Sequence, residues 1–102
     1  MELIHRYFEL APRSDREAYF AQFAEDALVE DEGRERQGID AIRAWRGEVP
    51  PVTYTVQTIE PNGAGHDAHA DVSGDFPGSP VRLTFHFEFT ADGHIAVLTI
   101  RS

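Results

Sequence analysis

The stretch VRLTFHFEF, residues 81–89, alternates strictly between apolar and polar side chains. Strict alternation is typical of a β-strand that buries one face and exposes the other. The apolar face carries Val81, Leu83, Phe85, Phe87 and Phe89. The polar face carries Arg82, Thr84, His86 and Glu88. We therefore predict a strand whose first face belongs to the core and whose second face meets water or a partner chain.

The period of two starts at Val52, and turn signals interrupt it three times. The turns are residues 61–63 (PNG), 77–80 (PGSP) and 91–93 (ADG). Proline and glycine favour chain reversals, because proline fixes φ and glycine tolerates a positive φ. Four strands joined by hairpins are therefore predicted for the second half of the chain.

The first half of the chain has the three-and-four spacing of amphipathic helices. A first helix is predicted before Pro12 from the apolar positions Leu3, Ile4, Tyr7, Phe8 and Ala11. Ser14 and Glu17 fit a capping box, in which each side chain satisfies a backbone N–H at a helix start. A second helix is predicted behind this box from Ala18, Tyr19, Phe20, Phe23, Ala24 and Ala27.

Two further elements lie between these helices and the strands. Residues 27–37 combine a short apolar stretch with an acidic turn at Gly33, so we predict two short strands around that turn. Residues 39–45 return to helical spacing and predict a third helix. Gly47 is a candidate end for it, and the prolines at 50–51 forbid its continuation.

Composition narrows the class of protein. The chain has 102 residues, and three helices followed by an antiparallel meander predict one α+β domain over residues 1–102. Its 18 acidic residues against nine arginines give a net charge of -9, which disfavours nucleic acid and anionic membranes as partners. The absence of cysteine removes disulfides and thiolate chemistry. With no long apolar run and charges near the N-terminus, we expect a cytoplasmic protein.

The order of elements resembles the nuclear transport factor 2-like superfamily, whose members are also called SnoaL-like proteins. The resemblance is carried by residues 20–31 (FAQFAEDALVED) and 38–45 (GIDAIRAW). These match the superfamily's run of a phenylalanine, acidic residues, an alanine, a short strand and a glycine that opens the third helix. The resemblance implies a cone-shaped α+β fold, with three helices packed on a strongly curved, mostly antiparallel sheet. It also implies a homodimer, which would bury surface that so small a domain leaves exposed.

Within that superfamily, the sequence is most similar to ketosteroid isomerases. Those cofactor-free enzymes carry a tyrosine on the first helix that donates to an enolate oxygen, and an aspartate that moves the proton. Tyr7 and Asp31 fall at these two positions, 24 residues apart. A second acid of the family aligns with Phe85, so Tyr7 would be the sole donor here. The loss of one such donor typically costs ~10² to 10³ in rate.

The predicted chemistry needs an apolar cavity around the base, because such a cavity excludes water from it. The candidate walls for a small hydrophobic substrate are Phe20, Phe23, Trp45, Phe85 and Phe87. Two structural alternatives stay open. Asp31 also fits a solvated turn residue in the acidic run 30–32, and Tyr7 also fits a core aromatic whose hydroxyl reaches the edge.

The second half of the chain contains histidines and acids, the residue types that bind metals. Their spacing, however, does not predict a metal site, and we expect no cofactor. His66 and His69 are three apart, so on one strand they would point to opposite faces. His86 and Glu88 fit a proton relay only if they faced the interior, and the alternation points them outward. Two functions therefore stay open: an isomerase or lyase that moves a proton next to a carbonyl, and a noncatalytic ligand-binding or dimerisation module.

Overall fold

The computed structural model describes residues 1–13 and 15–102. Within these residues the helices are α1 (Glu2–Leu10), α2 (Arg16–Phe20) and α3 (Ile39–Glu48). The strands are β1 (Phe23–Asp31), β2 (Arg34–Gln37), β3 (Val52–Asn62), β4 (Gly65–Gly74), β5 (Val81–Phe89) and β6 (Ile95–Arg101). The predicted architecture is confirmed: three helices pack on a curved, six-stranded, mostly antiparallel sheet that does not close.

The sheet is ordered β2-β1-β6-β5-β4-β3. All neighbouring strands are antiparallel except β1 and β6, which are parallel. The register places Phe85 of β5 opposite Ala68 of β4 and Ile100 of β6. All three side chains are buried, so the apolar face predicted for residues 81–89 continues across its neighbours. The hairpins fall at the three predicted turns.

The second helix is shorter than the sequence predicted. It ends at Phe20, and Phe23 already begins β1, whose buried positions include Phe23, Ala27 and Val29. A spacing of four between apolar residues fits a helix and a strand equally, which is why the pattern misled. The predicted capping box rests on Ser14, which lies outside the described residues. Asp15 caps the helix, accepting from the Ala18 amide at 3.2 Å.

The predicted β1–β2 hairpin and third helix are both present. Glu32 and Gly33 have φ of +50° and +84°, and a positive φ at both central residues suits a tight two-residue hairpin. Helix α3 continues through Gly47 to Glu48, one residue beyond the predicted end. Val49 is extended and Pro50 follows, so the proline rather than the glycine limits the helix.

Aromatic side chains fill the space between the helices and the sheet. The ring of Tyr7 from α1 lies 5.2 Å from Phe87, and that of Phe8 lies 5.0 Å from Phe85. Tyr7 and Phe87 have no exposed surface at all. None of the helices in the described part of the chain has the length and apolarity that crossing a bilayer requires.

We expect Phe87→Ala to lower the free energy of unfolding by ~3 to 5 kcal/mol, because it opens a cavity in fully buried packing. Phe89→Ala is the matched control: it lies on the same strand face and stacks on Phe87, but is only half-buried. We expect a smaller loss there. Urea denaturation of both variants checks this. Equal losses would show that Phe87 is packed no more tightly than Phe89.

Candidate functional site

A cavity of about 290 Å³ opens between α3 and the sheet. Most of its lining is apolar: Trp45, Val49, Pro50, Val52, Val72, Phe76, Val81, Leu83, Phe85 and Ile100. Its polar lining residues are Asp31, Glu32, Arg46 and Tyr54. An apolar cleft with a few convergent polar groups is the usual form of a small-molecule site.

Asp31 is the last residue of β1, so the strand carries its carboxylate to the edge of the cavity. The residue is half-buried, and its Oδ2 accepts a hydrogen bond from Trp45 Nε1 at 3.0 Å. Trp45 is itself 3% exposed and is fixed on α3. The indole therefore holds the carboxylate in one place beside the apolar wall.

Arg46 follows Trp45 on α3 and is 6% exposed. Its Nη2 donates to the carbonyl oxygen of Ala11 at 2.8 Å and to the Tyr54 hydroxyl at 3.3 Å. The guanidinium carbon lies 4.7 Å from the centre of the Tyr19 ring, which is cation–π distance. Sequence reasoning missed this residue. The available signal was its position four residues after Ile42, on the buried stripe of the helix.

Tyr54 is the second polar residue that sequence reasoning missed. It lies on β3 between Val52 and Val56, and all three side chains pack against the core from one face of the strand. The alternation from Val52 onward could have found it. Because its hydroxyl oxygen accepts from Arg46, its own proton is available for donation to a ligand.

Tyr7 lies elsewhere than Asp31. Its hydroxyl is fully buried and forms a hydrogen bond of 2.9 Å with the Tyr19 hydroxyl. Burial raises the pKa of Tyr7 well above its ordinary value and raises the pKa of Tyr19 to about 12, so both phenols are neutral. The cavity lining contains Asp31 and not Tyr7. The structure therefore does not bring these two predicted residues into one cavity.

The five predicted wall residues divide into two groups. Trp45 and Phe85 line the cavity. Phe20, Phe23 and Phe87 are packed in the core instead. Phe20 lies under the Arg43 guanidinium at 4.5 Å, and the Phe23 and Phe87 rings pack against tyrosines. The space around Phe20, Phe23 and Phe87 is thus filled by side chains, whereas Trp45 and Phe85 face an open cavity.

The outer face of the sheet carries a network of histidines and acids. His86 Nδ1 lies 2.7 Å from Asp67 Oδ1, and its Nε2 lies 2.9 Å from Glu88 Oε2. The predicted outward direction of His86 and Glu88 is confirmed. Among the residues that the structure describes, no group of three His, Asp or Glu side chains is placed to hold a metal ion. The homodimer stays a prediction, and this face fits either a dimer interface or contact with solvent.

Comparison with known proteins agrees with the fold. Residues 4–98 match the model of the SnoaL-like domain family, and the chain belongs to that family. A Sinorhizobium meliloti protein provisionally assigned as a polyketide cyclase is 36% identical, with a TM-score of 0.89 over 99% of this chain and 94% of that one.

Two further structures share the fold. A Sphaerobacter thermophilus protein is 25% identical, with a TM-score of 0.83 over 97% of this chain and 91% of that one. A Catenulispora acidiphila protein with a ketosteroid isomerase-like fold, in complex with trimethylamine, is 16% identical, with a TM-score of 0.82 over 99% of this chain and 85% of that one. No sequence among the curated proteins matches this one.

The buried tyrosine pair gives a first prediction for this region. Tyr7→Phe leaves the Tyr19 hydroxyl buried without its partner, so we expect a loss of ~1 to 3 kcal/mol in unfolding free energy. Removing both hydroxyls together should cost less than the sum of the single changes, since no orphaned group is left. Urea denaturation of the two single variants and the double variant measures this, and strict additivity would contradict a coupled pair.

His86 gives a pH prediction. Partial burial lowers its pKa, but the hydrogen bonds to Glu88 and Asp67 raise it, and the net pKa lies above the ordinary value. The stabilisation is therefore fully present below the unfolded-state pKa of ~6.5 and is lost as pH rises through the folded-state pKa.

We expect wild type to exceed His86→Gln in unfolding free energy at about pH 6, and by clearly less at about pH 9. His5→Gln, an exposed histidine of α1, is the control for losing a titrating group. Urea midpoints at both pH values check this. A difference that grows with pH would mean that the neutral imidazole is the form these acids stabilise.

Proposed function

We propose that the cavity binds a small apolar carbonyl compound and that Asp31 removes a proton from the carbon next to the carbonyl. The observation that carries this proposal is that the Asp31 carboxylate and the Tyr54 phenol line one predominantly apolar cavity. A carbon acid needs a base on one side and a donor at the oxygen that becomes negative. The cavity supplies one group of each kind.

The base is positioned by the indole of Trp45. Its N–H holds Oδ2 of Asp31, and a carboxylate has two oxygens that accept. A bound apolar ligand displaces water from the cavity, which strengthens the electrostatic interactions inside it.

The donor in this proposal is Tyr54 rather than Tyr7. The Tyr54 hydroxyl accepts from Arg46 at 3.3 Å, and the nearby positive charge favours donation of the phenol proton to an enolate oxygen. Tyr7 acts only through its neighbours: its hydroxyl hydrogen-bonds to the Tyr19 hydroxyl, and the Tyr19 ring packs against Arg46. Arg46 in turn holds the Tyr54 hydroxyl.

The proton has a complete route without a cofactor. The C–H bond breaks, its proton passes to Asp31, and its electron pair forms the enolate whose oxygen is held by Tyr54. Asp31 then returns the proton to the same carbon, which gives exchange. Where the substrate has a C=C bond conjugated with the enolate, Asp31 can instead protonate the far carbon of that bond, which shifts the double bond and gives an isomer. The polyketide cyclase assignment of the 36% identical relative also concerns carbonyl compounds, and it supports this substrate class.

A noncatalytic binding module is the second candidate. Phe85 lines the cavity at the position where the family resemblance places a second acid, so the carboxylic acid donor of that pattern is missing here. A binding module would use the same apolar walls and would take up ligand without moving a proton. Turnover and binding must therefore be measured separately.

We expect wild type to catalyse exchange of the α-protons of 2-tetralone in D₂O, and Asp31→Asn to reduce this by at least ~10²-fold, the usual contribution of a general base. Proton NMR follows both the exchange and the binding of the ketone. Glu35→Gln is the control: it removes the same charge from the exposed strand β2, outside the cavity lining. Binding without exchange in wild type would favour the noncatalytic module.

A further inference from the structure

Arg46 is a buried cation without an acidic partner. Every Asp and Glu of the chain is among the described residues, and none of the ion pairs there involves Arg46. The other arginines that form ion pairs, such as Arg43 with Glu17, do so at the surface. A charge taken out of water is costly unless an opposite charge or sufficient hydrogen bonds replace the water.

The groups around Arg46 do not supply that opposite charge. The phenols of Tyr7 and Tyr19 are neutral, and the Tyr54 hydroxyl is a single acceptor. The Tyr19 and Trp45 rings lie at 4.7 and 5.7 Å from the guanidinium carbon, so they offer aromatic faces only. The Ala11 carbonyl is a dipole, not an anion. Among the described residues no carboxylate forms an ion pair with Arg46, and the C-terminal end of α1 at Ala11 supplies only a partial negative charge.

The guanidinium also has donor capacity left over. It has five N–H groups in a planar fork, which matches the two oxygens of a carboxylate. Its Nη2 makes both hydrogen bonds described above, whereas its Nε is buried and has no partner among the described residues. Nε is closed off from the cavity, but Arg46 as a residue lines it, so the unpaired charge belongs to that site.

We propose that the natural ligand of this cavity is an apolar carboxylic acid whose carboxylate pairs with Arg46. The proposal concerns the cavity of the proposed function and rests on it for the location of the ligand. It narrows the substrate class from carbonyl compounds to oxo acids, with the carboxylate at Arg46 and the acidic carbon near Asp31. The carboxylates of Asp31 and Glu32 also line the cavity and repel further negative charge, so the ligand is a monoanion rather than a phosphate or a dicarboxylate.

The test compares two probes of one shape: 2-naphthoate, which carries a carboxylate, and 2-naphthamide, which is neutral. We expect wild type to bind the naphthoate at least about tenfold more tightly by calorimetry, as a charge-assisted hydrogen bond in an apolar site provides. Arg46→Met should remove this preference. Arg43→Met is the matched control, because it removes an exposed arginine of the same helix and should keep the preference.

The comparison within wild type keeps the test valid even if Arg46→Met fails to fold. Equal affinity for the two probes, tighter binding of the amide, or no binding of either would overturn the proposal. A preference lost equally in Arg43→Met would overturn it too, since the effect would then be one of net charge. The α-proton exchange of 2-tetralone, a neutral ketone, separates the two ideas: it depends on Asp31, and naphthoate preference without exchange would contradict the proton transfer alone.

Discussion

The pairing of β5 with both β4 and β6 is the constraint on which the rest of the structure depends. Its register aligns Ala68, Phe85 and Ile100 in one buried row across the sheet. A shift of one residue would turn every apolar side chain of β5 toward the outer face and bring His86 and Glu88 into the core. The helices have an apolar surface to pack on only because this register holds.

That surface is used in two different ways. Where α1 packs on it, Tyr7 and Phe8 lie against Phe85 and Phe87 and the space is filled. Where α3 faces it, Trp45 and Arg46 line a cavity that stays open. One sheet face therefore provides both the stability of the domain and the wall of its candidate site. The polar groups of the site come from β1, the turn that follows it, α3 and β3.

The sequence predicted the sheet better than the site, for physical reasons. Residues 81–89 alternate with a period of two, which fits only a strand. That period predicts which side chains face the core and which face outward. The spacing of four between Phe23 and Ala27 fits both a helix and a strand. The pairing of β1 with β6, which the local sequence does not encode, makes this segment a strand. Arg46 was missed because an arginine on a helix usually points to water, and its burial depends on tyrosines distant in the chain. The direction of the Tyr7 hydroxyl likewise depends on Tyr19, a contact that no local pattern encodes.

The parallel pairing of β1 with β6 has a consequence for how the protein is made. Glu30 and Arg101, which join across these strands, are 71 positions apart, so β1 and β2 have no place in the sheet until the last strand has been synthesised. Strands β3 to β6 follow one another through hairpins and can pair as each one emerges. During synthesis, Asp31 on β1 would therefore join the cavity last, after the strands β3 to β6 that form its wall have paired.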